Sequence, residues 1–401
     1  MTVLISLLGI AALVFLHELG HFSVSLAVGV RPRSFYVGFP PPIVKKVRNG
    51  IEYGIGAIPL GGLVRIPGMH RPAAADFETQ LSLALRDAPE LAPYVRDVQR
   101  RLEAGDFEGA RAAAVPLRAA LAEARVATVA RKTAERALRD LEEGSGPDAY
   151  WRQRTWKRVA IIFAGPFMNV VVAIVLFTTA LMLPSTAYRL GFLRNPDNGK
   201  VVSVLAHQPA QQMGLRKGDA VVAVNGKPVT PEDLASKIAD SKGRPLTLTV
   251  LRHGRRLVLG PARPRKTTLS GESFGLAVKD SFRYSWTIVK GIGDFFLHLP
   301  QRHKQLHSSI GIVKASDAAQ KQGLPDFIAF QGFISLSLAL LNLLPLLPLD
   351  GGHILFSLIE GLRGRAVRRE IYERASAIGI AVFALLVVVG LSNDTGGFGS
   401  H

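Results

Sequence analysis

The sequence predicts a polytopic α-helical membrane protein with about four transmembrane helices, separated by small β-structures and a helical insert. Three observations predict it. Apolar residues gather in four blocks instead of spreading along the 401 residues. Lysine and arginine collect in the segments flanking those blocks. Finally, His17-Glu18-Leu19-Gly20-His21 and Leu349-Asp350-Gly351-Gly352-His353 place ionisable groups in or against apolar runs. An acidic residue at the centre of a membrane helix costs roughly 2.5–3.5 kcal/mol on insertion scales, so it normally has a partner or a job.

The first block is expected to form a helix over residues 1–30. Thr2 to Phe15 carries no charge, and the apolar run resumes from Phe22 to Val30. A crossing helix needs about 20 apolar residues. This block reaches that length only with the His/Glu motif inside it. No basic residue precedes Arg31, whereas a cleaved signal peptide carries a basic leading region. The helix is therefore expected to be retained.

Residues 31–71 mix glycine and proline with β-branched and aromatic residues. Gly38-Phe39-Pro40-Pro41-Pro42 signals a sharp turn. Tyr53 to Arg65 reads as short strands broken at Pro59-Leu60-Gly61-Gly62, giving a small β-hairpin structure beside the membrane. Residues 72–147 are rich in Ala, Arg, Leu and Glu, which are strong helix formers. They predict two or three amphipathic helices with breaks near Gly105 and Pro116. The plain expectation is a solvated helical insert without chemistry, ended by the Gly144–Pro147 linker.

A second transmembrane helix is expected over 155–184, since Val159 to Pro184 carries no charge. Short alternating strands follow at Lys200–Leu205, Ala220–Val224, Leu246–Arg252 and Arg256–Leu259. A helix is expected at Pro231–Ala239 and a hairpin turn at Asn225-Gly226. Together they make a small β-rich domain. Within 266–326, the stretch Trp286 to Leu299 is amphipathic and aromatic. It suits either the membrane surface or packing on the protein. Phe327 to Leu349 has no charge and predicts a third transmembrane helix over 327–350. A basic loop over 351–374 and a fourth helix over 375–392 complete the plan.

The net charge is +18. Nucleic-acid binding is one source of such a charge. The positive-inside rule is more economical here, so no nucleic-acid partner is expected. Arg31, Arg33, Lys45, Lys46, Arg48 and Arg65 follow the first run; Arg152, Arg154, Lys157 and Arg158 precede the second. Arg363, Arg365, Arg368, Arg369 and Arg374 separate the third and fourth. This places those loops, with the helical insert, in the cytoplasm. Both termini and the β-rich domain then face outward from the cytoplasmic membrane. Cysteine is absent, so any metal must be held by imidazole and carboxylate.

In a helix, residues i and i+4 share a face, so His17 and His21 can point at one ion. His-Glu-x-x-His is a zinc pattern, with the glutamate placed as general base. Asp350 is the obvious third ligand, because catalytic zinc usually has three protein ligands. Gly351-Gly352 permits close backbone approach there. Asn342 lies two helical turns before Asp350 in an otherwise apolar run. Its amide suits substrate anchoring or oxyanion stabilisation, and equally an interhelical hydrogen bond. Pro345 and Pro348 interrupt the helix. His353 is read as support or packing, and His298, His303 and His307 as a solvated basic segment.

These residues resemble the site-2 proteases, the intramembrane zinc metalloproteases, and most closely the bacterial regulators of sigma-E protease. The resemblance rests on His17 to His21, Ile58-Pro59-Leu60-Gly61-Gly62, Ala164-Gly165-Pro166-Phe167-Met168-Asn169, and Asn342-Leu343-Leu344-Pro345 through His353. It covers the chain except 72–147. It implies Zn2+ held by His17, His21 and Asp350, Glu18 as acid/base, and Asn342 at the scissile region. It also implies that 31–71 is a membrane re-entrant β-loop whose Gly61 and Gly62 segment contacts the substrate by β-augmentation. Residues 186–265 resemble a PDZ domain through Pro209-Ala210, Gly214 to Asp219 and Asn225-Gly226. The partners implied are single-pass membrane proteins (anti-sigma factors or remnant signal peptides), the lipid bilayer and a peptide ligand of the PDZ domain. Two features depart from the family pattern: Pro348 comes one place late, and Ser309-Ile310-Gly311 replaces a Gly-Pro-x-Gly segment. A non-catalytic membrane adaptor or a proton or metal transporter would use the same residues otherwise. The adaptor predicts that Glu18 is dispensable, and the transporter that further helices and repeats exist.

Overall fold

The computed structural model describes residues 2–194, 199–229, 234–298, 323–367 and 369–395, with a few single residues between 312 and 320. His303, His307 and Ser309 to Gly311 lie outside the described residues. Elements are numbered along the described part of the chain.

The first apolar block is one helix, α1 (Thr2–Ala27), with the His/Glu motif in its second half. Two long strands follow, β1 (Ser34–Arg48) and β2 (Ile51–Arg65). Asn49 and Gly50 both have positive φ and turn the chain between them. Each strand bends back on its partner. Ser34–Val37 pairs with Glu52–Ile55 on one side and with Gly62–Arg65 on the other. Val44–Arg48 pairs with Ile51–Ile55. The strand expected to break at Pro59–Gly62 therefore runs continuously. Bulges and the positive φ of Gly61 bend it where a break was expected. Its last stretch, Gly62–Arg65, pairs with Ser34–Val37 on one side, has no strand on the other among the described residues, and comes close to Glu18 of α1 at Gly62.

The insert holds four helices, α2 (Ala74–Asp87), α3 (Ala92–Glu103), α4 (Phe107–Glu123) and α5 (Thr128–Ser145). Phe77, Leu81, Leu91, Val98, Leu117 and Leu138 belong to its own buried core. The break at Gly105 is present. Pro116 does not break α4. It lies on the exposed face with Ala112, so the carbonyl its missing N–H leaves free can bond to solvent. Arg65 pairs with Asp140 and Glu143, and Arg33 with Asp148, at the seam between insert and sheet.

Helix α6 (Thr155–Met182) is the central span. The β-rich domain follows with β3 (Ser185–Arg189), β4 (Phe192–Arg194), β5 (Val201–Val204), α7 (Pro209–Gln212), β6 (Ala220–Val224), β7 (Lys227–Pro228), α8 (Leu234–Asp240), β8 (Leu246–Arg252), β9 (Arg255–Ala262) and β10 (Arg265–Leu269). Its largest sheet has the order β7-β6-β8-β9, and β3 pairs with β10. Asn225 and Gly226 form the expected hairpin turn with positive φ at both.

Asp219 in this domain is 1% exposed and receives hydrogen bonds from Arg252 Nε at 2.7 Å and the Arg216 amide at 2.8 Å. Burial alone would raise its carboxyl; the Arg252 and Arg216 bonds outweigh it and hold the group below its ordinary range. A depressed carboxyl stabilises the fold at pH above the unfolded value, about 3.9, and loses that contribution as pH falls through the folded value. Arg252→Met is expected to cost about 3 kcal/mol, because it leaves a buried charge unpaired. Hydrogen exchange of the β8 amides in the intact protein checks this. Unchanged protection at pH 7 would show that the pair contributes nothing.

Helix α9 (Phe274–Leu297) starts well before the expected amphipathic stretch. It buries Ala277, Ser281 and Ser285, while Phe282 and Trp286 stay exposed. Next come α10 (Leu324–Asn342), α11 (Asp350–Arg363) and α12 (Arg369–Thr395). Two expectations change here. The third apolar helix ends at Asn342, not at residue 350, because Pro345 and Pro348 cannot continue a helical ladder. The segment expected as a basic loop over 351–374 is largely helix α11, closed by Gly364 with φ of 64°. Arg158 Nη2 meets Glu360 Oε2 at 2.6 Å and fastens α11 to α6.

Among the described residues, four helices are long and apolar enough to cross a membrane: Leu4–Ala27, Thr155–Met182, Leu324–Asn342 and Glu370–Ser392. With the sheets between them, they make the chain a multi-pass helical membrane protein.

Candidate metal centre and active site

His17 and His21 lie one turn apart on the face of α1 that packs on α6. Both are 6% exposed. The contact is close because it is built from glycines. A Cβ on Gly20 would run into the Ala164 carbonyl oxygen, and a Cβ on Gly165 into His21 Nε2. Small residues let membrane helices approach to backbone contact.

The opposing face of α6 is a stripe four residues apart: Ile161, Gly165, Asn169. Its three members meet the histidine pair in antiparallel order. The Ile161 carbonyl lies 2.8 Å from His21 Nδ1. Gly165 leaves room for both rings. Asn169 Nδ2 lies 3.2 Å from His17 Nδ1. Partners of this kind orient metal-binding imidazoles.

Asp350 arrives from the far end of the sequence, in the first turn of α11. Its Oδ2 lies 3.2 Å from His17 Nε2 and 3.5 Å from His21 Nε2. The two Nε2 atoms are 3.2 Å apart. The three ligand atoms fall within 4.8 Å of one another. Asp350 Oδ2 is nevertheless a buried atom without a hydrogen-bond partner among the described residues. Three ligand atoms converge on one spot, and while the two Nε2 atoms meet at hydrogen-bond distance, neither makes a hydrogen bond to the Asp350 carboxylate. A cation resolves that arrangement, and two imidazoles with a carboxylate are a donor set that zinc takes. The triad is a metal-binding site.

A cavity of about 470 Å³ opens beside the triad, lined also by Glu18, Val64, Met69, Asn342 and His353. Glu18 sits against the free edge of the sheet. It shares the cavity wall with Val64, and a Cβ on Gly62 would come to 2.8 Å of its Cγ. Asn342, at the end of α10, reaches 3.5 Å from His17 Nε2. His353 hydrogen-bonds Tyr372 on α12.

The structure thus brings His17, His21, Glu18, Asp350, Asn342 and Gly62 to one cavity. Gly61 is one residue further along, against Phe39. Sequence reasoning attached no role to Gly165, Ile161 or Val64. The Gly165 signal was present as a glycine in an uncharged run, but the residue it must avoid lies 144 positions earlier. Backbone groups such as the Ile161 carbonyl leave no trace in side-chain identity.

Comparison with known proteins agrees with this geometry. The chain is 26% identical over 437 residues to the Regulator of sigma-W protease RasP of Bacillus subtilis (strain 168), covering 98% of each chain. It is 28% identical to the Zinc metalloprotease RasP of Geobacillus kaustophilus (strain HTA426), covering 96% of this chain and 95% of that protein. It is 23% identical to the Probable protease eep of Enterococcus faecalis (strain ATCC 700802 / V583), covering 98% of each. The sequence model of peptidase family M50 matches residues 5–386. That match takes in the triad and reaches all four apolar spans, so the chain belongs to peptidase family M50 and is a zinc-dependent intramembrane protease.

Proposed function

We propose that the protein cuts the transmembrane segment of single-pass membrane proteins, and that Glu18 and Asn342 serve the zinc triad in doing so. The observation that carries this is the position of Glu18. It lies between the triad and a free β-edge that can hold an extended peptide.

His17, His21 and Asp350 would hold the zinc, which when bound would supply the Lewis acidity that makes water nucleophilic near neutral pH. The edge Gly62–Arg65 takes the unwound substrate as an added strand, so its peptide groups exchange lipid for backbone hydrogen bonds. Gly61 and Gly62 let the substrate chain come close. Glu18 takes the proton of the attacking water and returns it to the departing amine. The Asn342 amide donates to the oxygen of the scissile carbonyl as charge develops there.

Residues 31–71 act as the membrane re-entrant β-loop. Residues 186–265 act as an extracytoplasmic PDZ domain that reads or excludes outer parts of the substrate. The helical insert and the loops rich in arginine and lysine lie on the cytoplasmic side of the inner membrane. The name of the Bacillus relative, a regulator of a sigma factor, supports anti-sigma factors as one substrate class. Remnant signal peptides are the other. Neither involves nucleic acid.

The test is cleavage of a fluorescent single-pass substrate by the purified protein in liposomes, with product masses determined. The expected result is one cut inside the apolar segment, lost on treatment with a zinc chelator and restored by added zinc. A protein that holds stoichiometric zinc and cleaves no member of a panel of anti-sigma and signal-peptide substrates would be an adaptor instead. Cuts confined to the exposed flanks would overturn the intramembrane substrate.

A further inference from the structure

We propose that Asn169 is a positioning residue for the metal centre: its side-chain oxygen accepts the Nδ1 proton of His17 and thereby fixes the tautomer that leaves Nε2 free for the ion. The inference rests on the reading of His17 as a ligand through Nε2.

The two histidines face the same problem. A neutral imidazole carries one proton, on either Nδ1 or Nε2, and only the unprotonated nitrogen can bind metal. For His21 the answer is unambiguous. Its Nδ1 lies 2.8 Å from the Ile161 carbonyl, which can only accept, so the proton is on Nδ1 and Nε2 is free. For His17 the neighbour is an amide, which presents either end. Asn169 is 0% exposed, and its Nδ2 lies 3.2 Å from His17 Nδ1.

In that orientation the amide donates, Nδ1 must be the bare nitrogen, and the proton is forced onto Nε2. There it would point into the gap shared with His21 Nε2 at 3.2 Å and Asp350 Oδ2 at 3.2 Å. A protonated Nε2 cannot be a ligand. The amide oxygen and nitrogen have nearly the same shape, and a half-turn about the last side-chain bond exchanges them. Asn169 Oδ1 has no hydrogen-bond partner among the described residues where it now lies. The exchange leaves the number of unpartnered amide atoms unchanged, so the metal decides between the two. With Oδ1 toward His17, the oxygen accepts from Nδ1–H, and all three ligand atoms of the triad present lone pairs.

The main chain that carries the amide is tied to the neighbouring helix. Ser335 Oγ on α10, itself 0% exposed, donates to the Asn169 backbone carbonyl at 2.8 Å. Gly165, one turn earlier, lets α6 come close enough for the amide to reach the ring. Helix α6 therefore sets both tautomers: Ile161 for His21 with a backbone oxygen, Asn169 for His17 with a side-chain oxygen.

The test uses the full-length protein in detergent, with zinc affinity measured by competition against a chromophoric chelator. Asn169→Leu removes the acceptor and is expected to weaken zinc binding about 10–100-fold, the usual cost of losing a histidine's outer partner. Asn169→Asp keeps the acceptor and is expected to bind within a few-fold of the unaltered protein. Unchanged affinity in Asn169→Leu would overturn the proposal. His17→Ala is the control for the reading beneath it. If that variant keeps full affinity, the triad assignment fails, whatever Asn169 does. A second measurement needs no Asn169 variant. In the zinc-loaded protein labelled with 15N-histidine, the His17 signal (identified by its loss in His17→Ala) is expected to show a protonated Nδ1. A bare Nδ1 would overturn the proposal even if the leucine variant did not fold.

Discussion

Glu18→Gln is expected to lower cleavage by about 10²–10⁴-fold while the protein keeps its zinc, the range attributed to a single general acid/base. That range corresponds to about 3–5 kcal/mol of lost transition-state stabilisation. Glutamine keeps the shape of the side chain and its contact with Gly62, so the cavity should persist. The carboxamide cannot take a proton from water at neutral pH. Glu18 also stands outside the set of atoms that converge on the metal position, which is why zinc content should not follow activity. Measuring both in one preparation separates the outcomes. Equal activity in the two proteins would sink the role given to Glu18. Loss of zinc together with activity would make Glu18 part of the metal site.

The second large effect is expected from a residue with no functional group. Gly165→Val should abolish stoichiometric zinc binding, and with it cleavage. A Cβ at this position would occupy the space of His21 Nε2 and would lie 2.8 Å from His17 Cε1. Neither ring can move aside without leaving its partner on α6 or its meeting point with Asp350. Helix α1 cannot retreat cheaply either. Its Gly20 already sits in backbone contact with Ala164, and separating the helices gives up the packing that holds membrane helices together. Gly291 on α9 has open space where its Cβ would stand, so Gly291→Ala is the matched control and should bind zinc normally. Metal analysis of the purified proteins decides the matter. A Gly165→Val protein with one zinc per chain would show that the rings have room the close contact denies.

Much of this was legible before any fold was known. The four spans could be read because burial in lipid demands long uncharged runs, a condition that each segment meets by itself. The His17–His21 pair could be read for a similar reason, since helical periodicity alone puts i and i+4 on one face. Asp350 was legible as a costly charge beside an apolar run, though its element was misplaced. It opens α11 after a bend at Pro345 and Pro348, and an acidic residue suits the first turn of a helix. The continuity of β2 through Pro59 and Gly61 was not legible. Proline and glycine read as breakers until the pairing of β1 on both of its sides is seen.

What the sequence determined by itself is therefore the membrane class of the chain, the number of its spans, and which side chains are too polar to lie there without a purpose. Tertiary structure alone decided that Asp350 meets histidines more than 300 positions away, and that the edge Gly62–Arg65 closes over Glu18. It also decided that Ile161, Gly165 and Asn169 form the wall that orients both rings. The physical reason is that apolar helix faces are nearly interchangeable as sequence patterns. Which face meets which is settled by close packing, where one glycine in register with one imidazole counts for more than the composition of the whole helix.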